Sequence, residues 1–145
     1  MQFDGLPENN TVLIAGTIVE GCTFSHEVYG EGFYTFRISS ERLSDKADIL
    51  PVTISERLID KDLLQIGTRV DITGQLRSYN NYNSKKNRLV LTVFAREIRM
   101  LEEAEDRSEN QIFLNGFICK APIYRKTPFG REISDILVAV NRAYN

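Results

Sequence analysis

The sequence has no tryptophan, one histidine and two cysteines among its 145 residues. Each scarcity removes a class of chemistry. His26 stands beside Glu27 in "SHEVYGEG" with no serine or cysteine nucleophile pattern near it, so it reads as a surface side chain and not as a general base. Cys22 and Cys119 have neither metal-ligand spacing nor a companion histidine cluster, which points to reduced thiols and away from a disulfide framework or a zinc site. Long apolar runs are also missing. No stretch approaches the roughly 20 residues of a membrane span, and "MQFDGLPENN" lacks the layout of a signal peptide. A cytoplasmic protein without a membrane partner is the expectation. "GEG" at 30–32 precedes no helix that could cradle a phosphate, so it is a turn. No catalytic residue, metal site or cofactor is expected, and the chain is not read as an enzyme.

What is present is the balance of a folded globular chain, 42% hydrophobic and 26% charged. Lys and Arg number 18 against 20 Asp and Glu, giving a net charge of −2. The distribution says more than the sum. Between Arg69 and Arg99 stand Arg77, Lys85, Lys86, Arg88 and Arg96, with only Asp71 and Glu97 against them. The segment "EEAEDRSE" that follows is acidic and polar, the composition of a solvated linker.

The first hundred residues read as short strands with one helical interruption. "TVLIAGTIVE" and "GFYTFRISSER" alternate as strands, with "SHEVYGEG" as the loop between them. "ILPVTISE" follows, and Pro51 places it at an edge or a strand start. Leu58, Ile59, Leu63 and Leu64 in "SERLIDKDLLQIG", with Gly67 after them, have the spacing of a short amphipathic helix. "TRVDITGQLRSY" and "RLVLTVFAREIRM" are two long strands joined by "NNYNSKKN", which is rich in turn formers. Three strands, a helix and two strands is the order of an all-β, five-stranded OB-fold, a Greek-key barrel with one short helix.

An internal repeat is the second organising fact. Shifting the chain by 100 residues lays Asn10 on Asn110, Gly16 on Gly116, Ile18 on Ile118, Gly30 on Gly130 and Arg42 on Arg142 without a gap. The expected organisation is an OB-fold domain over 1–100, an acidic linker over 101–109, and over 110–145 a β-hairpin that begins a second OB repeat. That second repeat would be incomplete, short of three strands and a helix.

Within it, "PIYRKTPFGREISDILVAVNR" resembles the opening of bacterial single-stranded DNA-binding proteins, through Pro122, Arg125, Pro128, Gly130, Val138, Ala139, Asn141 and Arg142. The first repeat resembles the same family through Asn10, Gly16, "SSERLSDK" and "GTRVDITGQLRSY". The resemblance, to two-OB members in particular, implies a single-stranded DNA-binding protein of replication, recombination or repair, without sequence specificity. It implies a homo-oligomer as well, with replication or repair proteins as further partners. A primosomal-type OB module that binds another protein is the alternative. Where the family places stacking rings, the first repeat has Leu43, Ile49 and Ser55.

Stacking rings and phosphate-tracking cations are what unspecific single-strand binding needs. "RSYNNYNSKKNR" interleaves both, making Arg77, Tyr79, Tyr82, Lys85, Lys86 and Arg88 the candidate nucleic-acid-binding residues of the first repeat. Arg125, Arg142 and Tyr144 are those of the second. Tyr29 and Tyr34 are open to base stacking but read more simply as hairpin cover, and Phe33 and Phe36 fall on opposite faces of their strand, which makes one of the two core.

Overall fold

A computed structural model describes residues 9–81, 88–105 and 109–142, with the backbone alone described at 79–81 and 88. Apolar alternation sets the first five strands: β1 (Asn10–Val28), β2 (Glu31–Glu41), β3 (Ala47–Ser55), β4 (Arg69–Asn81) and β5 (Arg88–Met100). Their order across the sheet is β2-β3-β5-β4-β1, and β1 pairs back onto β2 to close the barrel. The OB-fold expectation is met.

Even-numbered positions point inward in β2, β3, the start of β4 and, up to Ile18, in β1. Val12, Ile14, Ile18, Phe36, Ile38, Val52, Ile54, Val70 and Ile72 form the core with Val93 and Ala95 of β5. Each such side chain, removed from water, contributes about 1.5–3 kcal/mol where it is a Val, Leu, Ile or Phe. Closure depends on β1 changing partners. It runs antiparallel to β4 from Val12 to Thr17, and from Thr17 onward it pairs with β2. Register shifts after Ile18, Glu20 and Phe24 bend the strand round the barrel. At the changeover the backbones crowd: a Cβ on Gly16 would lie 2.6 Å from the Ser39 carbonyl oxygen.

The seam between β3 and β5 is short and parallel, Val52 facing Val93 and Thr53 facing Phe94. Side chains extend it. The Thr92 hydroxyl donates to the Pro51 carbonyl at 3.3 Å, and the buried Thr53 and Thr92 hydroxyls lie 2.9 Å apart. Pro51 stands within β3, one residue before β3 meets β5, where the strand has a ladder partner on one side only.

Two local expectations are corrected. The amphipathic helix shrinks to a single 3₁₀ turn, Lys61–Leu63, capped by the Asp60 carboxylate accepting from the Asp62 N–H. Only Leu64 is buried and Ile59 packs partly on the core, whereas Leu58, Leu63 and Ile66 stay exposed, so no continuous apolar stripe holds a longer helix. "SHEVYGEG" is not a loop: β1 continues to Val28, and the reversal takes only Tyr29 and Gly30. After β5, Leu101 is buried and donates to the Arg69 carbonyl at 2.9 Å, and Glu105 pairs with Arg99 at 3.1 Å. The acidic segment is thus docked over its first residues.

The described residues divide into two compact units, one within Thr11–Ile112 and, separately, one formed by 113–142 with 9–10. β6 (Asn110–Leu114) crosses from one range to the other. The second unit holds β7 (Phe117–Ile118), β8 (Ile123–Lys126), β9 (Glu132–Asp135) and β10 (Val138–Ala139). Its ladders repeat the register of the first hairpin. Ile118 faces Val138 as Ile18 faces Ile38, and Tyr124 faces Ser134 as Phe24 faces Tyr34. A Cβ on Gly116 would strike the Ala139 carbonyl, the counterpart of the Gly16 approach to Ser39. Burial is what differs: Ile18 and Ile38 are 0% exposed, Ile118 63% and Val138 42%.

Between β2 and β3, Arg42 grips Asp48 with two hydrogen bonds, Nε to Oδ2 at 2.9 Å and Nη2 to Oδ1 at 2.5 Å. These bonds hold the Asp48 carboxyl below its ordinary value. A depressed carboxylate contributes stability above the ordinary aspartate range, and that contribution is lost as pH falls through the folded value. Arg42→Ala is therefore expected to return the Asp48 carboxyl, followed by NMR titration, toward the ordinary value. Gly16→Ala is expected to lower stability by about 1–3 kcal/mol in denaturant unfolding. Gly21→Ala serves as the control, since nothing lies within 4 Å of its added Cβ, and is expected to stay within about 0.5 kcal/mol.

Candidate nucleic-acid interface

Odd-numbered positions of β2 and β3 turn away from the core cluster, and with Phe94 of β5 and Arg77 of β4 they make the other face of the sheet. On it Phe33, Thr53 and Ser55 are covered by their neighbours, and Arg37 and Ile49 are exposed. Strand parity puts Val93 and Ala95 in the core and therefore turns Phe94 out. The Arg77 guanidinium lies 3.8 Å over the Phe94 ring, steadied by the Gln75 side-chain oxygen, which accepts at 3.1 and 3.3 Å. Phe33 adjoins Phe94, with ring centres 5.7 Å apart. His26 lies parallel on Phe33 at 4.9 Å and 9°. Cation and three rings thus form one continuous stack, from β4 to the tip of the β1–β2 hairpin.

At that tip the stack borders a cleft of about 610 Å³, whose lining includes Tyr29, Glu31, Glu56 and Arg57. Arg57 pairs with Glu31, and the Glu56 carboxylate accepts from the Gly32 N–H at 3.1 Å. Beside it on β2, Arg37 is exposed and pairs with Glu20 at 3.3 Å. A second aromatic group involves Tyr34, which meets Phe24 edge-on at 5.7 Å and carries the Lys61 ammonium 4.8 Å from its ring centre. Nearby, burial pushes the Cys22 thiol up, with Lys61 opposing. Such a surface can stack flat ligands and attract anions.

Of the sequence candidates, Arg77 belongs to this face. Tyr79 and Arg88 stand in the strands of the β4–β5 hairpin, Tyr79 facing Val90 and Arg88 facing Asn81. Tyr82, Lys85 and Lys86 fall outside the described residues, as does Tyr144. In the second unit Arg125 is exposed and donates to Asp135 at 2.9 Å, while the neighbouring Tyr124 hydroxyl donates to Glu132 at 2.7 Å, which raises its pKa. Arg142 lies beyond β10, in a segment without regular structure. Leu43 and Ile49 are exposed and Ser55 is buried. Sequence reasoning does not single out Phe94 or His26. Phe94 was findable from alternation, as the one ring among inward-facing Val93 and Ala95; His26 became legible only when β1 proved to continue through it.

No protein-family model matches the chain, and no curated protein sequence does. Among solved structures, the dimeric N-terminal domain of PriB protein from Thermoanaerobacter tencongensis is 49% identical, with a TM-score of 0.58. The match covers 66% of this chain and 100% of that one. The single-stranded DNA binding protein from Thermus aquaticus has a TM-score of 0.71 at 20% identity, over 91% of this chain and 68% of that one. A deletion mutant of the same protein gives 0.66 at 22%, over 91% and 69%. The second pair shares the fold. With about half of the aligned residues identical across an entire PriB N-terminal domain, the chain belongs to the PriB family of OB-fold proteins, on the fold shared by the Thermus aquaticus single-stranded DNA binding protein.

Proposed function

We propose that this protein binds single-stranded DNA without sequence preference, in replication, recombination or repair. One observation carries the reading: the Arg77–Phe94–Phe33–His26 stack on the outer sheet face. It supplies the rings and the cation that unspecific single-strand binding requires. From that face β4 and β5 lead into the hairpin whose sequence holds Tyr79, Tyr82, Lys85, Lys86 and Arg88. Likeness in fold to a protein named for single-stranded DNA binding supports the same conclusion. Its role is binding and not catalysis, in the cytoplasm.

In this reading residues 1–100 are the working OB domain, 101–109 a linker and 110–145 the opening strands of a second OB-fold, which contributes Arg125, Arg142 and Tyr144. The shared hairpin register supports that division. Arg125 would exchange Asp135 for a phosphate. A homo-oligomer is consistent with the dimeric PriB relative, and replication or repair proteins are further partners. The second reading is an OB module of PriB type that holds another protein. Exposed Phe117, Ile118 and Leu137 favour it specifically.

Fluorescence anisotropy with a labelled oligo-dT at low salt tests the first reading. Binding is expected to weaken with salt at a log–log slope of about −0.7 per neutralised phosphate. Lys85→Ala with Lys86→Ala is expected to reduce that slope by about 1.4. No binding at protein concentrations on the order of 10 µM would overturn the reading. Tyr79→Ala with Tyr82→Ala separates the two readings: lost capture of a partner protein with oligonucleotide binding intact supports the second.

A further inference from the structure

The reversal between β1 and β2 is made by Tyr29 at φ 49° and Gly30 at φ 83°. Both residues are in the left-handed region, where Asn, Asp or Gly relieves the clash and a bulky side chain does not. Tyr29 is the one described non-glycine residue with positive φ. A strained tyrosine is ordinarily compensated by packing, yet the Tyr29 side chain is fully exposed, at 104%. It contributes nothing to the core. Strain without packing is a reason to look for a ligand.

The surroundings say which ligand. Tyr29 lines the cleft that the His26–Phe33 stack borders, so two aromatic layers face one opening. Glu31 and Glu56 put carboxylates into the lining, which disfavours a phosphate inside and suits the N–H groups of a base edge. Arg57, 79% exposed at its side chain, offers a cation on the outside for the attached phosphate.

From these observations we infer that the tip of the β1–β2 hairpin is a nucleobase site, in which one base of a single strand stacks between Tyr29 and the His26–Phe33 pair. The inference rests on the single-strand reading above and adds a residue to it. Tyr29 is a stacking residue; Glu31 and Glu56 read the base edge, and Arg57 meets the backbone.

Tyr29→Asn tests it, with Tyr29→Gly as a second variant, because both residues suit the left-handed turn. Each is expected to melt at or above the wild-type temperature. An oligonucleotide carrying 2-aminopurine is expected to bind each variant at least about fivefold more weakly, since a ring–base stack is worth that much or more. Quenching of the 2-aminopurine emission on binding is expected to fall too, and Tyr29→Phe is expected to restore both. Affinity within about twofold of wild type, with quenching unchanged, would overturn the site while leaving the single-strand reading in place. A wild-type protein that does not bind the oligonucleotide would overturn that reading, and the site with it.

Discussion

The changeover of β1 from β4 to β2 is the constraint on which the barrel depends. Thr17 faces Arg69 on one side and Ser39 on the other, so a single residue belongs to both ladders. Without that bend the five strands would form an open sheet, with Ile18 and Ile38 on a surface and not in a core. Gly16 permits it by leaving room for the Ser39 carbonyl. The successive register shifts beyond Ile18 then carry the strand on, past the end of the core, to the projecting tip at Tyr29. Barrel closure and the outer aromatic stack are thus products of one strand's curvature.

The second hairpin separates local from global in the same code. Residues 116–139 reproduce the pairing of the first hairpin as far as Tyr124 and Ser134, with the two-residue drift in register and the close glycine approach, and part from it toward the tip, where Lys126 faces Glu132 but His26 faces Phe33. They do so with their apolar side chains exposed. Strand pairing therefore specifies this part of the hairpin geometry by itself, while burial comes from other strands. In the first unit β3, β4 and β5 supply it.

Much of this was readable before any coordinates. Alternation located five strands because each buries one face, and parity put Phe33 and Phe36 on opposite faces, while only the fold shows that Phe36 joins the core cluster and Phe33 is buried outside it. The helix was over-read because spacing reports what could be buried, not what is: Leu58 and Leu63 have the right separation and no surface to meet. The candidate site was legible only in part. Arg77 stood out by charge, but its contact with Phe94 depends on the pairing of β4 with β5, and Phe94 meets Phe33 only because β5 lies beside β3, which lies beside β2. Such adjacency is set by closure of the whole barrel, and no local window of sequence contains it. For Tyr29 the sequence leaves stacking and hairpin cover both open: a polar, glycine-bearing stretch looks like a loop, and the cost of a tyrosine in it is visible only as a backbone angle.

The brief parallel contact between β3 and β5 divides the barrel wall unevenly. Elsewhere the ladders are long, but here two residue pairs and a pair of threonine hydroxyls complete the circle. Cooperative opening follows the line of fewest bonds. The barrel is in this sense one curled sheet, in the order β3, β2, β1, β4, β5, whose two ends are clasped along a narrow joint. Phe33 lies near one end of that sheet and Phe94 at the other, so the rings bridge the joint. Anything gripping both would act as a rivet, and the stability of the barrel would become a gauge of whether the outer face is occupied.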